Sequence, residues 1–299
     1  MIDGVFVVDK PGGATSHDLV ARLRKHLGMR AVGHAGTLDP MATGVLLLLA
    51  GEATKLSPYL TLEHKTYLAE VRFGVATDTD DVEGQVVRQA VLTAGSLQPD
   101  AVLAALAAER ERTLQTPPAV SAIQIGGERA YRLVRRGETP VLEPRAVRVM
   151  SLELRALGSD RLELEVTASK GYYVRALARD LGERLGLPAC LGALRRTESG
   201  GFSLAEAHAW PLAATAAPLS LTEAARRCLP TAELTPDGAR RAKLGQPVAP
   251  EHFESAPNPD VPSAWLEHGE LVAIGSVRED AYRVLRGFGP RGDAHARPR

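Results

Sequence analysis

The sequence is short of cysteine, of charge of one sign and of long apolar runs, and each shortage removes a class of protein. Cys190 and Cys228 are its two cysteines. No metal or redox spacing links them, so a disulfide scaffold is excluded and a reducing compartment, the cytoplasm, is expected. Lys and Arg total 36, as do Asp and Glu, for a formal net charge of +0. That balance argues against a protein held to nucleic acid by bulk charge. The apolar run from Val45 to Ala50 ends at Gly51 and Glu52, too short to span a bilayer. Residues 1–30 carry Lys10 and an amphipathic basic stretch where a secretory leader would be apolar. P-loop, dinucleotide and zinc spacings are missing. The acidic "TDTDD" at 77–81 lacks the glycine and the closing glutamate of a calcium loop, and reads as a polar turn after a strand. No membrane, metal or cofactor is expected.

What is present is a globular composition, 44% hydrophobic, with segregated charge. Arg129 to Arg148 is basic and Asp78 to Glu83 acidic, and a local basic surface suffices for phosphate contacts. "GVFVVDKPGG" reads as a buried strand ending in a turn, and Ser16 is placed to cap a helix carrying Leu19, Val20, Leu23 and Leu27 on one face, closed by Gly28. "TYLAEVRFG" alternates, with Tyr67, Ala69, Val71 and Phe73 on the inward face. A helix follows around Val102 to Arg112, and "RLELEVTAS" alternates again before a helix striped by Leu177, Leu181 and Leu185. Strands and helices do not alternate regularly, which predicts an α+β fold with a mixed sheet. Residues 209–230 read as a connection, and "AWLEHGELVAIGSV" as a hairpin turning at His268-Gly269 in a small β domain. The last residues, 289–299, read as a disordered tail.

The sharpest segment is "GHAGTLDPMATG" at 33–44, a glycine-rich loop between two apolar elements. Asp39 before Pro40 could cap a helix. No helical stripe follows, however, and the concentration of Gly, His, Thr and Asp suits a backbone approached closely by a ligand.

This loop resembles the GHTGTLDPxATG motif of the TruB family of pseudouridine synthases. The likeness extends to "DKPGGATSHD" at 9–18, "KTYLAEVRFGVATDTDDVEG" at 65–84, "SKGYYVRALARDLGERLG" at 169–186 and "LRRTESGGF" at 194–202. Order and spacing agree over about residues 1–205. One departure is Ala35 where the family usually has Thr. The resemblance implies a pseudouridine synthase fold, a central mixed or antiparallel sheet flanked by helices. It would comprise a catalytic domain over 1–228, with an RNA-clamping insertion at about 118–146, and a PUA-like RNA-binding domain over 229–288. It implies isomerisation of the T-loop uridine of tRNA, with Asp39 as nucleophile attacking either ribose C1′ or uracil C6. Burial favours the neutral form of a carboxylate unless a cation sits alongside, and the resemblance makes Arg175 that cation. Tyr67 would stack on the flipped uracil and take part in proton transfer. Tyr173 and Leu194 would line the slot, and His34 would prop the T-loop open. Lys10 and Lys170 are expected to be structural or phosphate-facing.

Arg129, Arg132, Arg135 and Arg136 recur at helix-compatible intervals in the insertion and are candidate phosphate contacts. The related guide-RNA-dependent synthases share the aspartate motif but lack the insertion, so the expectation is a monomer that binds the tRNA T-arm with no guide RNA. A non-catalytic RNA-binding or RNA-folding protein is the alternative from a different class, disfavoured by an intact Asp39, Tyr67 and Arg175.

Overall fold

A computed structural model describes residues 2–121, 123–138, 140–278 and 281–289. The expected tail from residue 290 onward lies outside the described residues. Among these, nine strands form one mixed sheet. Its main path runs Val149–Leu157, Arg161–Ala168, Lys65–Phe73, Ala189–Ser199, Thr43–Ala50, Gly4–Lys10 and His208–Ala209. Pairing is antiparallel except where Ala189–Ser199 meets Thr43–Ala50 and where Gly4–Lys10 meets His208–Ala209. The expected α+β architecture with a mixed sheet is therefore observed.

The two kinds of strand pattern have one cause. Along Gly4–Lys10 and Thr43–Ala50, alternate residues enter different cores: Phe6, Val8, Leu46 and Leu48 enter one, Val5, Val7, Leu47 and Leu49 the other. Strands covered on both faces read as continuous apolar runs. Lys65–Phe73 and Arg161–Ala168 bury one face only and so alternate. The first core takes its lid from the helices Ser16–Leu27, Pro99–Arg110 and Val174–Leu185, through Leu19, Val20, Leu23, Val102, Leu106, Leu177 and Leu181.

The second core is closed from the C-terminal side. Ala224 and Ala225 of the helix Leu221–Arg226 are fully buried there, together with Ala264, Leu266, Leu271, Ile274 and Phe288. The stretch read as a connection thus contributes packed apolar surface. Its alanines leave no sequence signal because a six-residue helix is too short to show a stripe. The C-terminal segment forms a four-stranded sheet with the hairpin turning where expected. His268 and Gly269 both have positive φ, 51° and 79°, as a type I′ turn requires.

The loop at 33–44 is tighter than its composition suggests. Val32–Ala35 is a strand paired with Thr43–Ala50, so the irregular part shrinks to 36–42. Ala35, at the family's threonine position, buries its methyl beside Val45 and Leu47 in the second core. Gly44 closes the loop at φ +99°, and a Cβ there would lie 2.1 Å from the Arg196 carbonyl oxygen. Neither the backbone nor the neighbour tolerates a side chain. Gly44→Ala is therefore expected to cost at least about 2 kcal/mol of stability, read as a lowered urea midpoint, and a midpoint equal to wild type would refute this account of the strand crossing.

Candidate active site

The aspartate loop is pinned on both sides of Asp39. The helix Ser16–Leu27 is capped one residue earlier than the sequence pattern suggests, by Thr15 and Asp18 in a reciprocal capping box. The Ser16 hydroxyl is thereby free to hold the loop. It accepts from the Leu38 N–H at 3.0 Å and lies 3.2 Å from the Leu38 carbonyl as donor. On the other side Lys10, fully buried, donates its ammonium to the carbonyls of Ala14 at 2.6 Å, Pro11 at 2.9 Å and Pro40 at 3.1 Å. The Gly13 N–H also donates to Pro40 O at 2.9 Å. Burial pulls the Lys10 pKa down, partly opposed by Glu83 and Asp39. Of its two expected roles, Lys10 takes the structural one. The Ala42 N–H donates to Asp39 O, closing a turn, and no helix follows Pro40. Asp39 is not a helix cap.

Arg196 holds the stem of the same loop. It donates through Nε to Val45 O at 2.7 Å and through a terminal nitrogen to Gly36 O at 2.8 Å. It sits opposite Tyr67 in the sheet register and interacts with the Tyr67 hydroxyl. Full burial pulls its pKa down, with that tyrosine as the opposing influence. Leu194, buried, pairs with Ala69 on the strand face that also carries Tyr67. The structure therefore brings Tyr67 and the stem of the aspartate loop to one buried guanidinium that the sequence pattern does not single out.

Arg175 and Asp39 form the pair the sequence leads one to expect. Arg175 Nε lies 2.9 Å from Asp39 Oδ2, and a terminal nitrogen donates to Asp39 Oδ1 at 3.3 Å. The Nε proton itself is off that line and finds no hydrogen-bond acceptor among the described residues, so at that atom the contact is ionic. The burial is uneven: the Arg175 side chain is 7% exposed and that of Asp39 34%. It is the cation that is buried, while the carboxylate stays open to an incoming atom. Arg175 also donates to Thr79 O at 2.8 Å and Val120 O at 3.0 Å, with Asp81 Oδ2 3.7 Å away.

The "TDTDD" segment is thus more than a polar turn. Asp81 is buried beside Arg175, and Asp80 lies 3.2 Å from Arg179. Burial raises the Asp80 pKa to about 6 against the opposing pull of Arg179. Tyr173, half-buried at the start of the helix Val174–Leu185, has its phenol pKa raised by burial.

His34 lies on Val32–Ala35 with its ring edge-on to His17, centroids 5.1 Å apart. Its Nδ1 is buried without a hydrogen-bond partner among the described residues. Burial first, then His17 and Arg196, depress its pKa from 6.5 to about 4. The insertion's arginines form a separate group. Arg129 and Arg136 flank the helix Ala130–Arg135, which includes Arg132. Arg136 engages Glu128 at 2.6 Å and Glu138 at 2.9 Å. The Arg135 side chain lies outside the described residues.

The His34 shift has a consequence for acid stability. Between pH 6.5 and about 4 the unfolded chain binds a proton at His34 that the folded chain does not. His34 therefore contributes stability that is present above that window and lost as pH falls through it. Urea midpoints at about pH 7 and about pH 5 are expected to differ less for His34→Phe than for wild type. Equal differences would remove His34 from the acid sensitivity.

Residues 24–174 match the family described as TruB family pseudouridylate synthase (N terminal domain). A protein named tRNA pseudouridine synthase B from Arthrobacter sp. (strain FB24) is 43% identical over 288 residues, covering 92% of each chain. Its namesake from Mycobacterium sp. (strain KMS) is 45% identical over 292 residues, covering 95% of this chain and 96% of its own. Among solved structures, a chain of an H/ACA RNP bound to a substrate RNA containing 2'-deoxyuridine has a TM-score of 0.72 at 22% identity, covering 96% of this chain and 86% of that one. A chain of a Cbf5-Nop10-Gar1 complex has a TM-score of 0.74 at 22% identity, covering 96% and 85%. These two likenesses are of fold. The match over more than half of the chain, and relatives above 40% identity along nearly all of it, show that this chain belongs to the TruB family of pseudouridylate synthases.

Proposed function

We propose that this chain isomerises the T-loop uridine of tRNA to pseudouridine, with Asp39 as the nucleophile and Arg175 as its cation. The observation that carries the reading is a partly exposed carboxylate on a loop pinned at both neighbours, 2.9 Å from a buried guanidinium. The tRNA pseudouridine synthase B name of the relatives supplies the substrate class.

The reaction breaks the bond between uracil N1 and ribose C1′, turns the base, and joins C5 to C1′. N1 gains a proton and C5 loses one, so the exchange is redox-neutral. Asp39 attacks C1′ or C6 and leaves again when the new bond forms. The uracil must leave its stack, and Tyr67 offers it an aromatic face, with Leu194 and Tyr173 as walls of the slot. A neutral His34 suits the gap left in the T-loop, because an uncharged imidazole can stack among bases. The family's clamp is assigned to Arg129, Arg132, Arg135 and Arg136, which contact T-arm phosphates. The insertion that carries them supports a synthase working as a monomer without guide RNA. The PUA-like segment over 229–288 adds a second RNA surface.

Two measurements test the reading. Asp39→Asn is expected to abolish turnover while leaving tRNA affinity within about threefold, because binding is spread over many phosphate and stacking contacts. Turnover above roughly 1% of wild type would sink the nucleophile assignment. The clamp is tested by changing Arg132 and Arg136 together to Ala. Arg136 is exposed and its ion pairs with Glu128 and Glu138 contribute little to folding. The double variant should bind tRNA more weakly, with a salt slope reduced by about one unit per lost contact, and keep its single-turnover rate at saturating tRNA. Unchanged affinity and slope would return the segment to a solvated surface.

A further inference from the structure

The helix that carries Arg175 begins without a side-chain cap. Tyr173 is its N-cap residue and has no capping hydrogen bond from its own side chain. The donor and acceptor of the Tyr173 main chain are instead met by one residue from outside. Gln115, 1% exposed, accepts from the Tyr173 N–H through Oε1 at 2.8 Å and donates through Nε2 to the Tyr173 carbonyl at 3.1 Å. A side-chain amide offers a neutral donor and acceptor side by side at any ordinary pH, and the main chain's own polarity dictates which way the amide faces. That carbonyl also accepts the first hydrogen bond of the helix, from Leu177.

Gln115 sits at the root of the insertion. Leu114–Gln115 pairs with Arg145–Ala146, so the chain leaves for the insertion just after Gln115 and returns beside it. Two further bonds run from the same helix to the outgoing strand of chain: Arg179 to Thr116 O at 2.9 Å, and Arg175 to Val120 O at 3.0 Å. Those two run from side chains, whereas the Gln115 bonds act on the main chain at the start of the helix from which Tyr173 and Arg175 project.

We infer that Gln115 is a positioning residue for the isomerisation, its amide locking the Tyr173 peptide so that the Tyr173 ring and the Arg175 guanidinium are aimed at Asp39 and its substrate. The inference rests on the proposed roles of Asp39 and Arg175. Without both bonds the first turn can rotate, and misplacement of a reacting geometry by about 1 Å costs on the order of a hundredfold in rate. Gln115 itself touches no reacting atom, so tRNA affinity should hardly change.

The test compares Gln115→Met and Gln115→Glu with wild type in single-turnover reactions at saturating tRNA, alongside tRNA binding and thermal melts. Gln115→Met keeps the volume and loses both bonds. Its rate is expected to fall roughly tenfold to a hundredfold with affinity within about threefold. In Gln115→Glu a neutral carboxyl can accept from the N–H and donate to the carbonyl, whereas a carboxylate cannot donate. Burial favours the neutral form, so its rate relative to wild type should climb as pH is lowered from about 8 to about 6. A residue needed only for folding would give no such recovery. A wild-type rate for Gln115→Met, or a pH-independent ratio for Gln115→Glu, overturns the inference. If the Met protein does not fold, the Glu ratio decides alone. Asp39→Asn in the same assay separates the two levels. Turnover by that variant defeats the site reading, whereas its inactivity beside a fully active Gln115→Met defeats only the role of Gln115.

Discussion

A guanidinium withdrawn from water is the constraint around which this site is assembled. An unpaired buried charge costs several kcal/mol, so Arg175 is tolerable only because its terminal nitrogens meet acceptors and carboxylates lie alongside. Those acceptors come from three separate stretches of chain: Asp39 in the loop, Thr79 and Asp81 in the acidic turn, and Val120 in the insertion. Satisfying one side chain therefore draws together the pieces that make the site. The contact with Asp39 is only partly directed: a terminal nitrogen donates to Oδ1 at 3.3 Å, while Nε lies 2.9 Å from Oδ2 without a hydrogen bond. A carboxylate held by charge more than by aligned hydrogen bonds can shift onto a substrate atom, while the backbone carbonyls of Thr79 and Val120 keep the cation in place.

The loop that presents Asp39 is stiffened by the same chemistry in reverse. Lys10 and Arg196 are buried cations whose hydrogen-bond partners are mainly backbone carbonyls. A carbonyl carries partial negative charge without being able to titrate, so such a cation is stabilised while adding no competing carboxylate beside the nucleophile. Ser16 completes the arrangement, and it can do so only because Thr15 takes over the helix cap. Two adjacent hydroxyl residues with separate roles explain the Thr-Ser pair in "GGATSHD".

How far the sequence could be read follows from which interactions leave a local pattern. Periodicity exposed the strands Lys65–Phe73 and Arg161–Ala168 and the helix Val174–Leu185, because one buried face imprints a period of 2 or 3.6. The I′ turn at His268-Gly269 was legible because positive φ restricts residue choice. Asp39 and Arg175 became visible as a pair through motif resemblance, and the geometry then brought them together. What could not be read were long-range polar contacts. Ser16 to Leu38, Arg196 to Gly36 and Gln115 to Tyr173 join residues 22, 160 and 58 positions apart, and nothing near any of them in the chain announces a partner. Glu109, fully buried on its helix, has a local partner in Arg112 three residues on, but its bond from the Tyr172 hydroxyl at 2.9 Å spans 63 positions and was equally unreadable.

The formal neutrality of the chain, which looked adverse to an RNA substrate, also changes meaning once its charges are located. Much of the basic content near the site is withdrawn from water or already paired: Arg175, Arg196 and Lys10 hold the loop, Arg112 and Arg179 flank Asp180, and the partly exposed Arg195 meets Asp9 at 2.8 Å. On the surface, Arg136 and Arg155 lie against glutamates. Exposed pairs of this kind contribute less than about 1 kcal/mol, so a phosphate can take the place of the carboxylate with little penalty to the fold. A balanced charge count then reflects basic side chains held in preset directions by weak acidic partners. On the proposed clamp, exchanging carboxylate for phosphate at Arg136 would temper the electrostatic grip that an unopposed arginine would exert.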